Sequence, residues 1–189
     1  MAIEARTRVS NEAYERLALA EPDRMWELRD GILREKPPMT DAHDWLALKL
    51  GHFLLLQLDW SIHQVRVNSG RLRRPASTYY IPDVFVLPTA LTAPYRNRPD
   101  VLSVYDQPLP LVVEIWSRST GDYDTAAKLP VYRERGDLEI WYVHPYERTL
   151  TAWVRQSDGS YEETLYREGL VRLAALSGVE IDLAALFET

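Results

Sequence analysis

The alternation of apolar and polar positions along the chain predicts a mixed α/β core between residues 41 and 143. Before that core, the pattern predicts a short helix over residues 10–19 and a two-stranded hairpin over residues 26–35, which turns at Asp30-Gly31. The core opens with the helix DAHDWLALKLGHFLLLQLD, whose apolar residues cover much of the helix circumference. A helix that is apolar on most sides is typically buried, so we expect this helix to be largely enclosed.

The elements that follow indicate a sheet flanked by helices. Predicted strands, each short and rich in Val, Ile or Leu, occupy residues 63–68, 81–87, 109–116 and 138–143. A helix over residues 122–135 separates the last two strands, and a hairpin around the turn sequence SDGS follows them. We therefore expect an α/β fold of the α+β kind, a mixed β-sheet flanked by helices with an N-terminal and a C-terminal hairpin added. Because no repeat or linker divides the chain, residues 1–189 are expected to form one domain.

Two of the predicted strands each carry one acidic residue among apolar neighbours. Asp83 lies in IPDVFVLP, and Glu114 lies in PLPLVVEIW. A carboxylate in a buried strand must be paired, protonated or bound to a cation. Because the two strands are expected to be neighbours and Lys128 follows them, the pattern favours a site for a divalent metal.

Each of these residues also has a structural explanation. Asp83 follows a proline and could open its strand by accepting hydrogen bonds from backbone N–H groups. Glu114 could form a salt bridge with Lys128 without any metal. A single lysine on a helix is more often solvated than catalytic, so only the two acids draw attention to Lys128.

The composition excludes several classes of site. Cysteine is absent, which excludes disulfides, thiolate metal sites and cysteine nucleophiles. The sequence contains no H-x-x-x-H ligand pair, no Gly-rich phosphate loop and no G-x-S-x-G elbow. It also lacks an apolar run near the ~18 residues of a membrane span, and its start lacks an apolar targeting stretch. We therefore expect a cytoplasmic protein that does not enter a membrane.

The distribution of charge bears on nucleic-acid binding. The net charge of −6 argues against tight, nonspecific binding driven by total charge. A local basic stretch, however, precedes Asp83 and contains Arg66, Arg71, Arg73 and Arg74. We predict that these four arginines contact a polyanion such as DNA, and a solvated hairpin is the alternative explanation.

Seven stretches in a fixed order characterise the chain, and the ordered set is more specific than any one of them. They are WELRDGILRE, PPMTDAHDWLALKLG, YIPDVFVL, PLVVEIWSRST, KLPVYRERG, EIWYVHP and LSGVEIDLAALF. Together they resemble the Uma-type family of restriction-endonuclease-like proteins, which lies within the PD-(D/E)XK nuclease superfamily. The resemblance covers about residues 11–187 and implies a restriction-endonuclease-like core, a Mg²⁺ (or Mn²⁺) site and hydrolysis of phosphodiester bonds.

The resemblance assigns roles to the residues already singled out. Pro82-Asp83 matches the superfamily's PD element and Glu114 matches its second acid, so both carboxylates would hold the metal. The lysine expected two residues after the second acid is replaced by Trp116. This family resembles branches that use a lysine from the following helix instead, and Lys128 fills that position. We expect the Lys128 ammonium to lie within one hydrogen bond, or one water, of Asp83 or Glu114.

Two further residues match family positions near the site. Glu27 lies in the first hairpin and could bind the metal through a water molecule. His43 lies at the start of the long helix and could contact a phosphate or transfer a proton. A purely structural role is the alternative for both side chains.

The function implied by the resemblance is that of a Mg²⁺-dependent DNA endonuclease in which Lys128 assists the attacking water. One alternative is a catalytically silent nucleic-acid-binding or regulatory module on the same fold. Another is a metal-dependent hydrolase of a small phosphoester. Because cleavage of a duplex needs two sites, we also expect a homodimer, in which Trp153 and Tyr161 of the late hairpin are exposed contact residues.

Overall fold

A computed structural model gives the fold of residues 8–75, 77–119 and 123–188. The helices are α1 (Asn11–Ala20), α2 (Asp41–Gln57), α3 (Leu129–Arg135) and α4 (Leu183–Phe187), with a 3₁₀ helix at Thr89–Tyr95 and a π-helical turn at Asp124–Lys128. The strands are β1 (Trp26–Arg29), β2 (Ile32–Glu35), β3 (His63–Val67), β4 (Arg71–Arg74), β5 (Thr78–Tyr80), β6 (Val84–Pro88), β7 (Val104–Tyr105), β8 (Leu111–Ile115), β9 (Glu139–His144), β10 (Thr149–Arg155), β11 (Tyr161–Tyr166), β12 (Leu170–Arg172) and β13 (Glu180–Asp182). Within the described ranges, no helix combines the length and the apolar character needed to cross a membrane.

The central layer is a six-stranded mixed sheet with the strand order β11-β10-β9-β8-β6-β3. Its neighbouring strands are antiparallel except β8 and β9, which are parallel and are joined by a crossover through α3. A five-stranded sheet of order β2-β1-β5-β4-β7 and the pair β12-β13 complete the sheets of the described residues. The predicted fold class, a mixed sheet flanked by helices with hairpins added near both ends, is confirmed.

The middle strands β6, β8 and β9 of the central sheet are buried on both faces, which explains their nearly continuous apolar runs. Side chains alternate between the faces along each strand, so Val84 packs with Leu50 and Leu54 of α2. The next residue, Phe85, points to the opposite face and packs in a cluster with Tyr132 of α3 and residues of the five-stranded sheet. The ends of β6 and β8 therefore lie between α2 on one side and α3 on the other.

The predicted N-terminal hairpin is confirmed as β1 and β2. Asp30 and Gly31 have φ angles of 48° and 81°, so both adopt the left-handed conformation that a two-residue type I′ turn requires. Strand β1 also pairs with β5 through Leu28 and Tyr79. This pairing makes the hairpin part of the five-stranded sheet and turns Glu27 towards the end of the central sheet.

The prediction that α2 is largely enclosed is wrong. Its inner face is buried through Leu50 and Leu54, but Trp45 is 50% exposed, Leu48 is 58% exposed and Leu56 is 70% exposed on the outer face. Only one side of the helix meets the central sheet, and no described residue forms a layer over the other side. The apolar circumference alone could not reveal that the outer face is left uncovered.

The predicted dimer contact through Trp153 is also wrong in its premise. Trp153 is only 6% exposed because β10 lies inside the central sheet, between β9 and β11. Its indole N–H donates a hydrogen bond to Glu163 at 2.8 Å. Tyr161 is partly buried, and its hydroxyl donates to the main-chain carbonyl of Asp137 at 2.7 Å. These two side chains are packed within their own chain.

The predicted helix over residues 122–135 begins differently from the expectation. Asp122 lies outside the described residues, and the segment that follows forms the π-helical turn before α3 starts at Leu129. Pro130 lies in the first turn of α3, where its missing N–H has no helical partner to lose. Gly136 ends the helix with a φ of 78°, as expected of a left-handed C-terminal glycine.

Gly51, on the inner face of α2, generates a prediction about stability. A Cβ atom at this position would lie 2.8 Å from Cγ2 of Val67 on β3, and valine side chains have few alternative rotamers. Alanine would gain up to about 1 kcal/mol in helix propensity. Overpacking costs about 1–3 kcal/mol. We therefore expect Gly51→Ala to lower the free energy of unfolding, measured in urea, by roughly 1 kcal/mol.

A double variant tests whether the loss of stability in Gly51→Ala comes from the steric clash with Val67. Val67→Ala removes the methyl group that the new Cβ would meet, so Gly51→Ala should be neutral or stabilising in that background. An equal loss of stability in both backgrounds would contradict the close helix–strand contact as the cause.

Candidate active site

The two acidic residues from the apolar strands lie side by side at one end of the central sheet. Asp83 immediately precedes β6, rather than lying inside it, and Glu114 lies in β8. The two strands are antiparallel with Val84 opposite Val113. The next pair in this register is Asp83 and Glu114, which therefore lie opposite each other. Only 1% of Asp83 and 4% of Glu114 are exposed. At this depth both carboxylates require partners.

Asp83 is surrounded by hydrogen-bond donors. Its Oδ1 accepts a hydrogen bond from Lys36 Nζ at 2.6 Å, and its Oδ2 accepts one from the Ile115 N–H at 2.6 Å. His43 Nε2 lies 3.0 Å from the same Oδ2. Burial by itself would raise the pKa of Asp83, but the charge of Lys36 and the hydrogen bond from His43 outweigh it and hold the pKa below its ordinary range. Asp83 is therefore an ionised carboxylate.

Lys36 is a residue of this site that the sequence did not identify. Its ammonium is buried and donates to Asp83, to the carbonyl of Ile81 at 3.0 Å and to Oδ1 of Asn68 at 3.1 Å. A lysine in the polar segment REKPP is indistinguishable from a solvated surface lysine. Lys36 points towards Asp83 only because the N-terminal hairpin packs at the end of the central sheet.

Glu114 is held by a tyrosine and a lysine. Its Oε1 accepts a short hydrogen bond of 2.5 Å from the Tyr132 hydroxyl, and Lys128 Nζ lies 3.2 Å from Oε1 and 3.3 Å from Oε2. Burial raises the pKa of Glu114 well above its usual value, although the charge of Lys128 opposes that rise. Burial raises the pKa of Tyr132 as well, and the nearby Glu114 raises it further. The tyrosine hydroxyl therefore stays protonated and donates the hydrogen bond to Glu114.

Lys128 lies where it was expected, and it has three acidic partners. Its Nζ lies 3.1 Å from Glu27, 3.2 Å from Glu114 and 3.2 Å from Asp124. Burial would lower the pKa of Lys128, but these carboxylates outweigh burial and raise the pKa well above its ordinary value. The ammonium is therefore a permanent positive charge among three carboxylates.

The π-helical turn explains how two of these side chains reach the site together. Asp124 and Lys128 are four residues apart, a spacing at which side chains on a helix are neighbours. The wider π turn is a local feature that is frequent at functional sites. Sequence reasoning missed Asp124, and its spacing from Lys128 was the signal that could have indicated it.

Glu27 and His43 both lie at the site, as the family resemblance implied, and each also has a structural contact. Glu27 Oε1 accepts a hydrogen bond from the Ile81 N–H at 3.0 Å, so it links the hairpin to the segment before β6. His43 lies in the first turn of α2 and is 1% exposed. Its Nδ1 has no hydrogen-bond partner among the described residues and lies 3.7 Å from Asp44. The catalytic roles of Glu27 and His43 stay predictions.

Trp116, which replaces the superfamily's lysine, makes a different kind of contact. Its ring stacks on His144 with a centroid distance of 4.4 Å and meets Tyr146 edge-on at 5.7 Å. Lys128 rather than residue 116 thus supplies the positive charge beside Glu114.

The four arginines of the basic stretch are not among the described residues that line the acidic pocket. Arg73 forms an ion pair with Asp106, and Arg74 pairs with Asp30 at 2.8 Å. The lining contains Arg34 instead, whose guanidinium lies 3.7 Å from the centre of the Tyr123 ring. Whether Arg66, Arg71, Arg73 and Arg74 contact DNA stays a prediction.

The chemistry of the pocket fits a divalent cation. The described lining of the pocket includes four carboxylates, two ammonium groups and one guanidinium. The acids are Glu27, Asp83, Glu114 and Asp124, and the cationic side chains are Arg34, Lys36 and Lys128. By formal charge, four negative groups against three positive ones leave an excess of one negative charge, and carboxylate oxygens are the ligands that Mg²⁺ or Mn²⁺ prefers.

The present arrangement places ammonium groups where a cation would compete for oxygen ligands. Within the described ranges, no three acidic or histidine side chains converge in a geometry that could hold an ion. Lys36 Nζ lies against Asp83, and Lys128 Nζ lies against Glu114. The donor set suits a divalent metal in ligand type, and binding would require these ammonium groups to give way.

Comparisons with known proteins identify the family and the fold. The model of the Uma2 family, described as "Putative restriction endonuclease", matches residues 11–185. The fold is similar to a crystal structure of "a putative nuclease belonging to DUF820" from Anabaena variabilis ATCC 29413, with a TM-score of 0.70 and 16% sequence identity over 86% of this chain and 89% of that chain. No curated protein matches the chain at a significant level. The structural likeness confirms the predicted restriction-endonuclease-like fold.

The buried Lys36–Asp83 pair generates a prediction about stability. Lys36→Met removes the ammonium but keeps most of its volume, which leaves the Asp83 carboxylate without its closest positive partner. Breaking a buried ion pair in this way costs about 3–5 kcal/mol. We expect a loss of that size in the free energy of unfolding, measured in urea at neutral pH.

Lys49→Met is the matched control. The Lys49 ammonium lies at the surface and donates to the main-chain carbonyl of Glu188. Its removal should change stability by less than about 0.5 kcal/mol. Adding Asp83→Asn to Lys36→Met should recover part of the loss, and equal losses for the two lysine variants would contradict the pairing.

Proposed function

Because the chain belongs to the Uma2 family, we propose that it is a Mg²⁺-dependent (or Mn²⁺-dependent) endonuclease that hydrolyses phosphodiester bonds in DNA. The observation that carries the proposal is the buried pocket in which Asp83, just before β6, lies next to Glu114 of the adjacent β8, with the Lys128 ammonium beside Glu114. Buried acids and a buried lysine in one cleft are the groups that metal-assisted hydrolysis of a phosphodiester requires.

Asp83 and Glu114 would hold the cation, and Glu27 would contribute through a water molecule. When bound, the metal would polarise the scissile phosphate and lower the pKa of a bound water. Lys36 supports this role because its charge keeps Asp83 ionised, and an ionised carboxylate is the form that binds a metal. Tyr132 fixes the direction of the Glu114 carboxylate through their 2.5 Å hydrogen bond.

Lys128 would act as a fixed positive charge rather than as a base. Burial would lower its pKa, but its three carboxylate partners outweigh burial and raise the pKa. Lys128 therefore keeps its protons and can only donate hydrogen bonds. In the reaction it would orient the attacking water or stabilise negative charge that develops on the phosphate oxygens. His43, whose Nε2 faces Asp83, would contact a phosphate or move a proton.

The DNA backbone needs positive groups beyond the pocket. Arg34 lines the pocket and is the nearest candidate. Arg73 and Arg74 could exchange their present carboxylate partners for phosphates, since both kinds of anion suit a guanidinium. Arg66 and Arg71 belong to the same basic stretch and would be further contacts with the DNA backbone.

A second candidate function is a catalytically silent nucleic-acid-binding or regulatory module. One observation favours it: the oxygens of Asp83 and Glu114 already accept hydrogen bonds from ammonium, hydroxyl and backbone N–H donors. A site satisfied in this way is stable without any metal. The two functions differ in whether added Mg²⁺ leads to cleavage.

The proposed function predicts different effects for two conservative variants. Asp83→Asn should lose both Mg²⁺ binding, measured by calorimetry, and cleavage of plasmid or single-stranded DNA. Lys128→Met should bind Mg²⁺ at least as well as the wild type, because it removes a competing ammonium, but should cleave at least about 100-fold more slowly.

Folding of each variant would be checked by circular dichroism, and Lys49→Met should cleave at the wild-type rate. A wild-type protein that binds DNA but cleaves none of its forms with Mg²⁺ or Mn²⁺ would overturn the nuclease proposal in favour of the silent module. Wild-type cleavage by Lys128→Met would remove Lys128 from the mechanism.

A further inference from the structure

The outer face of α2 carries an apolar surface that no described residue covers. Four of its side chains project from the helix, and two extend the surface past the helix end. The six are Trp45, Leu48, Leu55, Leu56, Trp60 and Ile62, which we call the α2 surface. Their exposed fractions range from 38% for Leu55 to 70% for Leu56. Single exposed apolar residues are ordinary, but a contiguous set of this size marks an interaction site.

The spacing of this surface is that of a helix–helix contact. Trp45, Leu48, His52 and Leu55 follow one another at intervals of three, four and three residues, the spacing of a coiled-coil seam. Every residue from 45 to 56 is described, and the exposed positions among them are apolar except His52. The one charged side chain between residues 45 and 56 is Lys49, which is partly buried and donates a hydrogen bond to the main-chain carbonyl of Glu188.

Trp60 is held in place although it is 66% exposed. Its indole N–H donates to the carbonyl of Leu55 at 2.8 Å, and its own carbonyl accepts a hydrogen bond from Thr89 Oγ1 at 3.1 Å. A fixed, exposed tryptophan loses little conformational freedom on binding, and tryptophan is among the residues that contribute most to interface affinity.

We propose that the α2 surface is the contact between two copies of this chain, related by a two-fold axis that packs α2 antiparallel against its counterpart. The six side chains expose an area on the order of 600 Å², close to the roughly 800 Å² that each partner contributes to a standard interface. Neighbouring polar residues at the rim supply the remainder. The surface is thus large enough, and apolar enough, for a specific dimer.

Charge decides the direction of the pairing. The first turn of α2 contains Asp41 and Asp44, so a parallel pair would bring two acidic turns together. An antiparallel pair separates these turns by about the length of the 17-residue helix, roughly 25 Å. It also opposes the two helix dipoles, which is the favourable arrangement. In that pairing His52 lies near the two-fold axis.

The same helix then connects the dimer with the candidate active site. His43 projects from the inner side of α2 to Asp83, while the α2 surface lies on the outer side. A two-fold pair would therefore carry two acidic pockets, one behind each α2 helix. The contact itself does not depend on whether those pockets cleave DNA.

Analytical ultracentrifugation of the full chain at tens of micromolar tests the proposal. The wild type should sediment as a dimer of 21.9 kDa subunits, and Leu48→Glu should raise the dissociation constant at least about 10-fold. Leu165→Glu is the matched control, because Leu165 is 49% exposed on β11, away from α2. A monomeric wild type, or a dimer weakened equally by both variants, would overturn the proposal.

Disulfide cross-linking tests the direction of pairing, since the chain contains no cysteine. His52→Cys should form a covalent dimer under mild oxidation because the two copies meet near the axis. Asp41→Cys should not, because its copies would lie more than roughly 25 Å apart, whereas a disulfide needs Cα atoms within about 7 Å. Cross-linking of Asp41→Cys at a rate equal to or above that of His52→Cys would overturn the antiparallel arrangement.

Discussion

The ammonium of Lys128 and its three buried carboxylates form the interaction on which the arrangement of the other parts depends. Glu27 comes from the N-terminal hairpin, Glu114 from the central sheet and Asp124 from the π-helical turn. A buried charge without its partner lowers the free energy of unfolding by several kcal/mol. If any of these parts moved away, a charged side chain would be left without its partner. The cluster thereby sets how the hairpin and α3 dock on the end of the sheet.

The same cluster links folding with chemistry. Two lysines occupy positions among oxygen ligands that a divalent cation would share, and they neutralise only part of the negative charge. Lys36 stabilises the ionised form of Asp83, while burial favours the protonated form of Glu114. The surroundings thus shift the pKa values of these two neighbouring acids in opposite directions, a pattern typical of functional sites.

The fold shows which features local patterns can predict. The Asp30-Gly31 turn and the helix end at Gly136 depend on the φ angles of single residues, so the sequence alone was sufficient. Strands β6, β8 and β9 followed from their apolar runs, which are also a local feature of the sequence. The exposure of Trp45 and the burial of Trp153 depend on which elements lie next to α2 and β10, and no periodicity within an element contains that information.

The candidate site divides in the same way. The sequence by itself determined that Asp83 and Glu114 need charged partners, because an acid in an apolar strand is costly wherever that strand is buried. The family resemblance assigned Lys128 its expected place beside these acids. Only the tertiary structure decided that Lys36 turns inward, because its partner Asp83 is distant along the chain. Only the tertiary structure also decided that Asp124 joins the cluster, because its contact with Lys128 forms in an irregular π-helical turn. Long-range packing chooses the partners of a buried charge, whereas local sequence only shows that partners are required.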